Sequence, residues 1–387
     1  MIGLTLLVGS SSVSAEGTNV SDETARRAVE ADLAAMNPEH EYYGRWQSAE
    51  ATYVQELYDL EDRVIGYYFV LKSGGQPVGY YVTSARTDLP PILEYGADPS
   101  KPEFEAAAEG ERIYYFGGRG AITGQDGAQA TAEIRERVEA QNEAAAEAKK
   151  VPAANLRQSE EEPAAPPENA EDVIASLTLA PHPDAAAEWE RVANPPRGAV
   201  AAALPDTYKL DVPFIYQRTA GIDGPGSACG PTTLAMILQY LGKQGLDVED
   251  ARYYNNSVVG LVNGNRNIMS TGAFGTTAGN MVFGLQNTLR PRPGWTFAQI
   301  DAASSGAIEK YKSRIASGRP PALMWDKLVL FPWTDAELKW HWQAGSAYTY
   351  SGGNFMFGVK DPDRDSTTRY YNWTSNQSGF LFVSYAK

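Results

Sequence analysis

Residues 160–167, Glu160-Glu161-Glu162-Pro163-Ala164-Ala165-Pro166-Pro167, divide this chain, because clustered prolines beside a run of like charge continue neither a helix nor a central strand. The surrounding stretch, residues 123–203, is dominated by Ala, Glu, Gln and Pro and offers little apolar surface to offset the entropy of ordering. It reads as a linker: an exposed helix from Gly127 to Lys150, then a mobile spacer open to cleavage. With 387 residues divided there, the chain has room for a folded unit on each side.

Residues 20–122 read as a small α+β domain. Ser21 is a candidate N-cap for a helix over residues 21–36, with Asp22 and Glu23 placing negative charge in its first turn. Ala51–Tyr58, Val64–Lys72 and Pro77–Ala85 are rich in Val, Ile, Tyr and Phe, and Ser73-Gly74-Gly75-Gln76 separates the last two as a hairpin turn does. Ahead of this unit, residues 1–15 resemble the end of a secretory signal that lacks its positive start, so the expected location is secreted or extracytoplasmic.

The formal net charge of −15 argues against a nucleic-acid or anionic-membrane partner, since both need clustered Lys and Arg. No apolar run reaches the roughly 18 residues that a membrane-spanning helix requires. A lone cysteine has no partner for an internal disulfide.

Residues 204–387 hold the chemistry. Cys229 precedes Leu234, Ile237, Leu238 and Leu241, whose spacing predicts a helix ending near Gly242, with Cys229 in its first turn. Unpaired N–H groups and the positive end of the dipole stabilise a thiolate there. A buried cysteine that only fills space is the alternative reading at this point. Further helices are predicted over Thr277–Asn287 and Phe297–Ala316, followed by a buried strand at Ala322–Trp325. Ser351-Gly352-Gly353-Asn354 is a turn signal, and folding a hairpin about it carries His341 and Asp361 to the same open end.

Of the three histidines, His40 lies in the N-terminal unit and His182 between prolines of the linker, so a base drawn from the cysteine's own unit is His341. A Cys–His pair also needs an acceptor for the other ring nitrogen, which Asp361 supplies, and donors for a developing oxyanion. The backbone N–H of Cys229 and the side-chain amide of Gln217 fill that last role.

Pro213-Phe214-Ile215-Tyr216-Gln217, Cys229-Gly230-Pro231-Thr232-Thr233, Gly318-Arg319-Pro320, His341-Trp342 and Asp361-Pro362 together resemble the C39-like branch of papain-fold cysteine peptidases. The resemblance implies a papain-like α+β domain of helices and antiparallel sheet, a peptide or protein substrate, and Cys229 as nucleophile, His341 as base, Asp361 as orienter and Gln217 as oxyanion donor. It implies no cofactor. One departure is Gln343-Ala344-Gly345-Ser346-Ala347, where the family has a Val- and Ile-rich strand; an exposed or irregular strand is expected there. Gly66-Tyr67-Tyr68-Phe69, Pro77-Val78-Gly79-Tyr80-Tyr81 and Pro90-Pro91-Ile92-Leu93-Glu94-Tyr95 resemble the propeptide domain of streptopain-type peptidases, which implies a precursor; a stable accessory domain is the alternative.

A non-catalytic binding protein that keeps the fold, and a transpeptidase or amidase using the same site, are the competing functions. Three scattered histidines and one cysteine do not make an ordinary structural zinc site. Asp361-x-Asp363-x-Asp365 resembles the start of a calcium loop but lacks its Gly and distal Glu, so a turn carrying one working aspartate is expected.

Overall fold

The computed structural model describes residues 18–98, 104, 107–148, 169–194, 206–272, 275–291, 293–326, 329–330 and 340–387. The signal-like residues 1–15 and the proline-rich residues 160–167 lie outside the described residues.

The N-terminal part begins with α1, Asp22–Ala35, capped by Ser21, whose hydroxyl accepts the N–H of Thr24. A single turn, α2 (Tyr43–Trp46), follows. Strands β1 (Glu50–Tyr58), β2 (Val64–Ser73), β3 (Gln76–Ser84) and β4 (Ile92–Gly96) then form an antiparallel meander. Ala25, Ala28 and Val29 of α1 pack on Tyr67, Phe69, Tyr81 and Tyr95 of that sheet. A hairpin of β5 (Arg112–Tyr115) and β6 (Ala121–Gly124) completes this end, joined to β1 by a parallel pairing.

The segment read as a linker contains three helices, α3 (Gly127–Ala148), α4 (Ala170–Ser176) and α5 (Ala185–Ala193). Its first helix is not simply exposed. Ala130, Ile134 and Val138, four residues apart, form a narrow stripe packed on Tyr114, Phe116, Ile122, Val173 and Leu177. Such a stripe is diluted in composition by the Ala, Glu and Gln around it, which is why the segment reads as solvated. Trp189 of α5 is buried as well, and its indole donates to the carbonyls of Arg86 and Leu89 at 3.0 Å.

The C-terminal part opens with the short strand β7 (Tyr208–Lys209) and continues with α6 (Cys229–Lys243), α7 (Val258–Ile268) and α8 (Ala278–Thr288). The helix expected over Phe297–Ala316 is instead a strand, β8 (Thr296–Asp301), then a turn and a shorter helix, α9 (Ala307–Ala316). Phe297 and Ile300 fit helical spacing, but β8 pairs residue by residue with the C-terminal strand β13 (Phe380–Ala386), a long-range contact that local periodicity does not report. Strands β9 (Ala322–Trp325), β10 (His341–Ser351), β11 (Asn354–Lys360) and β12 (Arg369–Asn372) and the turn α10 (Trp373–Asn376) complete the chain.

The result is a mixed α+β fold with ten helices among the described residues and one large, mostly antiparallel sheet, as expected of a papain-like peptidase unit. The path runs β6-β5-β1-β2-β3-β4-β12-β11-β10-β9-β13-β8, with β7 on β10. The stretches read as separate units therefore share a sheet. Glu94, Tyr95 and Gly96 of β4 pair with Tyr371, Tyr370 and Arg369 of β12, and the Tyr95 and Tyr370 rings stack at 4.9 Å.

The expectation of an exposed strand after His341 fails: β10 is buried along almost its whole length. Its irregularity is real but local, a register shift between Gly345 and Ala347. The small residues there reflect crowding. A Cβ at Gly345 would lie 2.8 Å from Pro321 Cγ and 2.8 Å from the Tyr311 hydroxyl. Gly345→Ala is accordingly expected to destabilise the protein by about 1–3 kcal/mol through overpacking. A lowered urea midpoint at unchanged m-value would show this, and a midpoint equal to wild type would contradict it.

Candidate active site

Cys229 is the first residue of α6, a helix buried nearly all round at the centre of the C-terminal core. At that position its N–H has no partner within the helix, as for any first-turn residue. Gly230 permits a close approach: a Cβ there would meet the Thr276 hydroxyl at 2.2 Å. Thr276 is held in turn by Trp342, whose indole donates to its carbonyl at 2.7 Å. The residue after Cys229 and the residue after His341 thus clamp the same threonine.

His341 opens β10 and Asp361 directly follows β11, so the hairpin joining these strands brings the two together. The ring Nε2 lies 2.8 Å from Asp361 Oδ1. With Nε2 committed to the carboxylate, Nδ1 is the nitrogen through which the imidazole can serve the neighbouring Cys229 side chain, whose interaction helps to favour the charged ring. All three side chains are buried.

Burial alone would lower the His341 pKa, but the charge and hydrogen bond of Asp361, together with Cys229, outweigh it and hold the imidazole well above its ordinary value. For Asp361 burial works upward. The charge and hydrogen bond of His341, the N–H of Asp363 at 2.9 Å and the charge of Arg369 overcome it and bring the carboxyl down to about 2.

Gln217 is also buried, and it is tied on both sides. Its backbone N–H donates to the Pro362 carbonyl at 2.8 Å, and its side-chain Nε2 donates to the Pro225 carbonyl at 2.9 Å. It therefore links the turn after Asp361 to the Gly-rich loop that leads into Cys229. The neighbouring Arg218 grips both carboxylate oxygens of Asp363, at 2.6 and 2.9 Å. The three aspartates that resemble a calcium-loop start go to different partners: Asp361 to His341, Asp363 to Arg218, and Asp365 to Thr367 and Arg369.

Two contributors escape a sequence reading. Gln343, which stands where the family resemblance calls for an aliphatic residue, donates from Nε2 to Asp361 Oδ2 at 2.8 Å. The Arg218–Asp363 pair is the other. Position 343, two residues after His341 on a strand, lies on the same face as the histidine, and that period was the available signal.

Residues 209–386 match the model of the Peptidase_C39 like family. This region belongs to that family. The match spans α6, the β10–β11 hairpin and every residue of the Cys229, His341, Asp361 and Gln217 cluster. No curated protein matches the chain. No described helix is long and apolar enough to cross a membrane.

The buried His341–Asp361 pair gives the C39-like region a pH signature. A carboxyl with a depressed folded pKa adds stability above its ordinary value and gives it up as the pH falls toward about 2. An imidazole with a raised folded pKa adds stability below its ordinary value and gives it up as the pH rises through the raised one. Both contributions are complete between about pH 4 and pH 6.5. Asp361→Asn should cost about 3 kcal/mol or more in that window and less outside it. Urea unfolding of both proteins across pH checks this; a difference independent of pH would contradict it.

Proposed function

We propose that the protein is an exported cysteine peptidase that hydrolyses peptide bonds by a Cys229–His341–Asp361 mechanism and is made as a precursor. The observation that carries the reading is the 2.8 Å contact between His341 Nε2 and Asp361 Oδ1 beside a cysteine at a helix N-terminus, within a C39-like region.

In this mechanism Cys229 Sγ, as the thiolate of a thiolate–imidazolium pair, attacks the scissile carbonyl carbon. The carbonyl π electrons pass to oxygen, where the Cys229 N–H and the second amide proton of Gln217 stabilise the oxyanion. As the C–N bond breaks, His341 Nδ1 gives its proton to the departing amine, leaving a thioester on Cys229. His341, now neutral, removes a proton from water as the water attacks the thioester. The C–S bond then breaks, its electron pair returns to sulfur, and the carboxylic acid departs, which restores the Cys229 thiolate and the His341 imidazolium. Asp361 keeps its acceptor role throughout, fixing the ring tautomer and the imidazolium charge.

The precursor element of the proposal is supported by burial. Cys229 and His341 have 0% exposure in the full chain, so a substrate carbonyl reaches the sulfur only after something opens. The N-terminal part packs close to the site: Gly118 abuts the Trp325 ring, and Trp325 pairs with His341 across β9 and β10. The same burial is the observation that favours the rival reading, a binding protein that keeps the fold without turnover.

Incubating the full chain beside its Cys229→Ala form and following size, along with hydrolysis of a denatured protein, separates the two. Self-cleavage between the N-terminal and C-terminal parts in the Cys229 protein alone is expected, and the Cys229→Ala and His341→Ala forms should lose about 10³-fold or more of the hydrolysis. Stable identical bands and no hydrolysis from either form would contradict the peptidase reading.

A further inference from the structure

Asp361 presents two carboxylate oxygens, and His341 engages only one. Oδ1 accepts from His341 Nε2 at 2.8 Å and from the Asp363 N–H at 2.9 Å. Oδ2 accepts from Gln343 Nε2 at 2.8 Å. The orientation of the Gln343 amide is not arbitrary. Its Oε1 accepts from the Trp325 indole Nε1 at 2.9 Å, and an indole N–H can only donate, so the oxygen must face the tryptophan and the NH₂ must face the carboxylate. Trp325, His341 and Gln343 are fully buried and Asp361 is 3% exposed, so water does not readily substitute for any of these bonds.

A carboxylate held on one oxygen alone is free to pivot about its Cβ–Cγ bond, and its second oxygen, unpaired and out of water, favours the protonated form. A donor on that oxygen prevents both. We infer that Gln343 is a positioning residue, which acts through Asp361 to keep the carboxylate turned onto His341 and, through it, the imidazole set against Cys229. Trp325 is its support. The inference rests on the Cys229–His341–Asp361 reading and assigns a role within it to a residue that touches neither sulfur nor substrate.

The chain has only three histidines, so nitrogen-15 NMR of histidine-labelled full-length protein resolves His341, identified by its loss in His341→Ala. In the wild type its ring should titrate well above 6.5. Gln343→Met, which fills the space without a donor, should weaken proton binding at His341 on the order of tenfold and move the Nε2–H resonance upfield. His40, buried in the N-terminal part with its pKa lowered to about 4 by burial, reports from the same spectrum whether the fold is intact.

Should Gln343→Met unfold, Gln343→Glu supplies the same test. Its protonated carboxyl donates as the amide does, and burial beside the Asp361 carboxylate keeps it protonated well above the ordinary carboxyl range. The His341 resonances should therefore match wild type until that carboxyl ionises and depart once it does. A wild-type His341 that titrates at or below 6.5 overturns the Cys–His–Asp reading and this inference with it. A wild type that titrates high, alongside Gln343 variants with unchanged His341 resonances at every pH, overturns this inference alone.

Discussion

The buried contact between His341 and Asp361 makes demands that much of the surrounding structure meets. A carboxylate taken out of water is costly, and one counter-charge rarely repays the cost unless further hydrogen bonds satisfy the remaining lone pairs. Here the backbone of Asp363 and the amide of Gln343 supply them. Those donors require the β10–β11 register that sets Ala344 opposite Lys360, because a slip of one residue would turn His341 and Gln343 to the other face together. The register in turn needs small side chains where β10 passes Pro321 and Tyr311, which accounts for Gly345. Aromatic clamps finish the assembly, Trp342 on Thr276 and Trp325 on Gln343.

The N-terminal part is joined to this assembly by more than chain connectivity. Its sheet continues into the C39-like region through β4 and β12, and Ser351 at the hairpin turn donates to Asp32 of α1 at 2.7 Å. Asn354, at the start of β11, donates to Glu188 of α5 at 2.6 Å. Gly118 meets Trp325, the residue that orients Gln343. Both ends of the hairpin that carries His341 and Asp361 are therefore braced by segments outside residues 209–386. A regulator covalently attached to the working unit would need contacts of this kind, and so would a permanent accessory domain.

Much of the candidate site was legible because its signals are local. The apolar spacing after Cys229 and the Gly-Gly turn at 352–353 each lie within a short window, and the hairpin then dictates that residues 341 and 361 meet. The sheet junction was not legible, since nothing in Ile92–Gly96 or Arg369–Asn372 names the other as its partner. The same blindness produced the helix expected over Phe297–Ala316, where pairing with β13 outweighs a helical spacing of two apolar residues. Gln343 was visible but misjudged. Read for apolarity it is a flaw in a buried strand, whereas read for hydrogen bonding it is a donor to the second oxygen of Asp361.

Whether Cys229 and His341 form a reactive pair is read from the pH dependence of iodoacetamide labelling, since a single cysteine makes the modified residue unambiguous. An isolated thiol with an ordinary pKa near 8.5 reacts about tenfold faster for each unit of rising pH below that value. Because Cys229 is buried, labelling passes through an opening and is slow at every pH, and its slope reports the ionisation of the thiol. A reactive pair gives a rate nearly flat from about pH 5 to pH 7 in the wild type, reverting to the steep dependence in His341→Ala. A wild-type rate that climbs about tenfold per unit, as it does in His341→Ala, would contradict it.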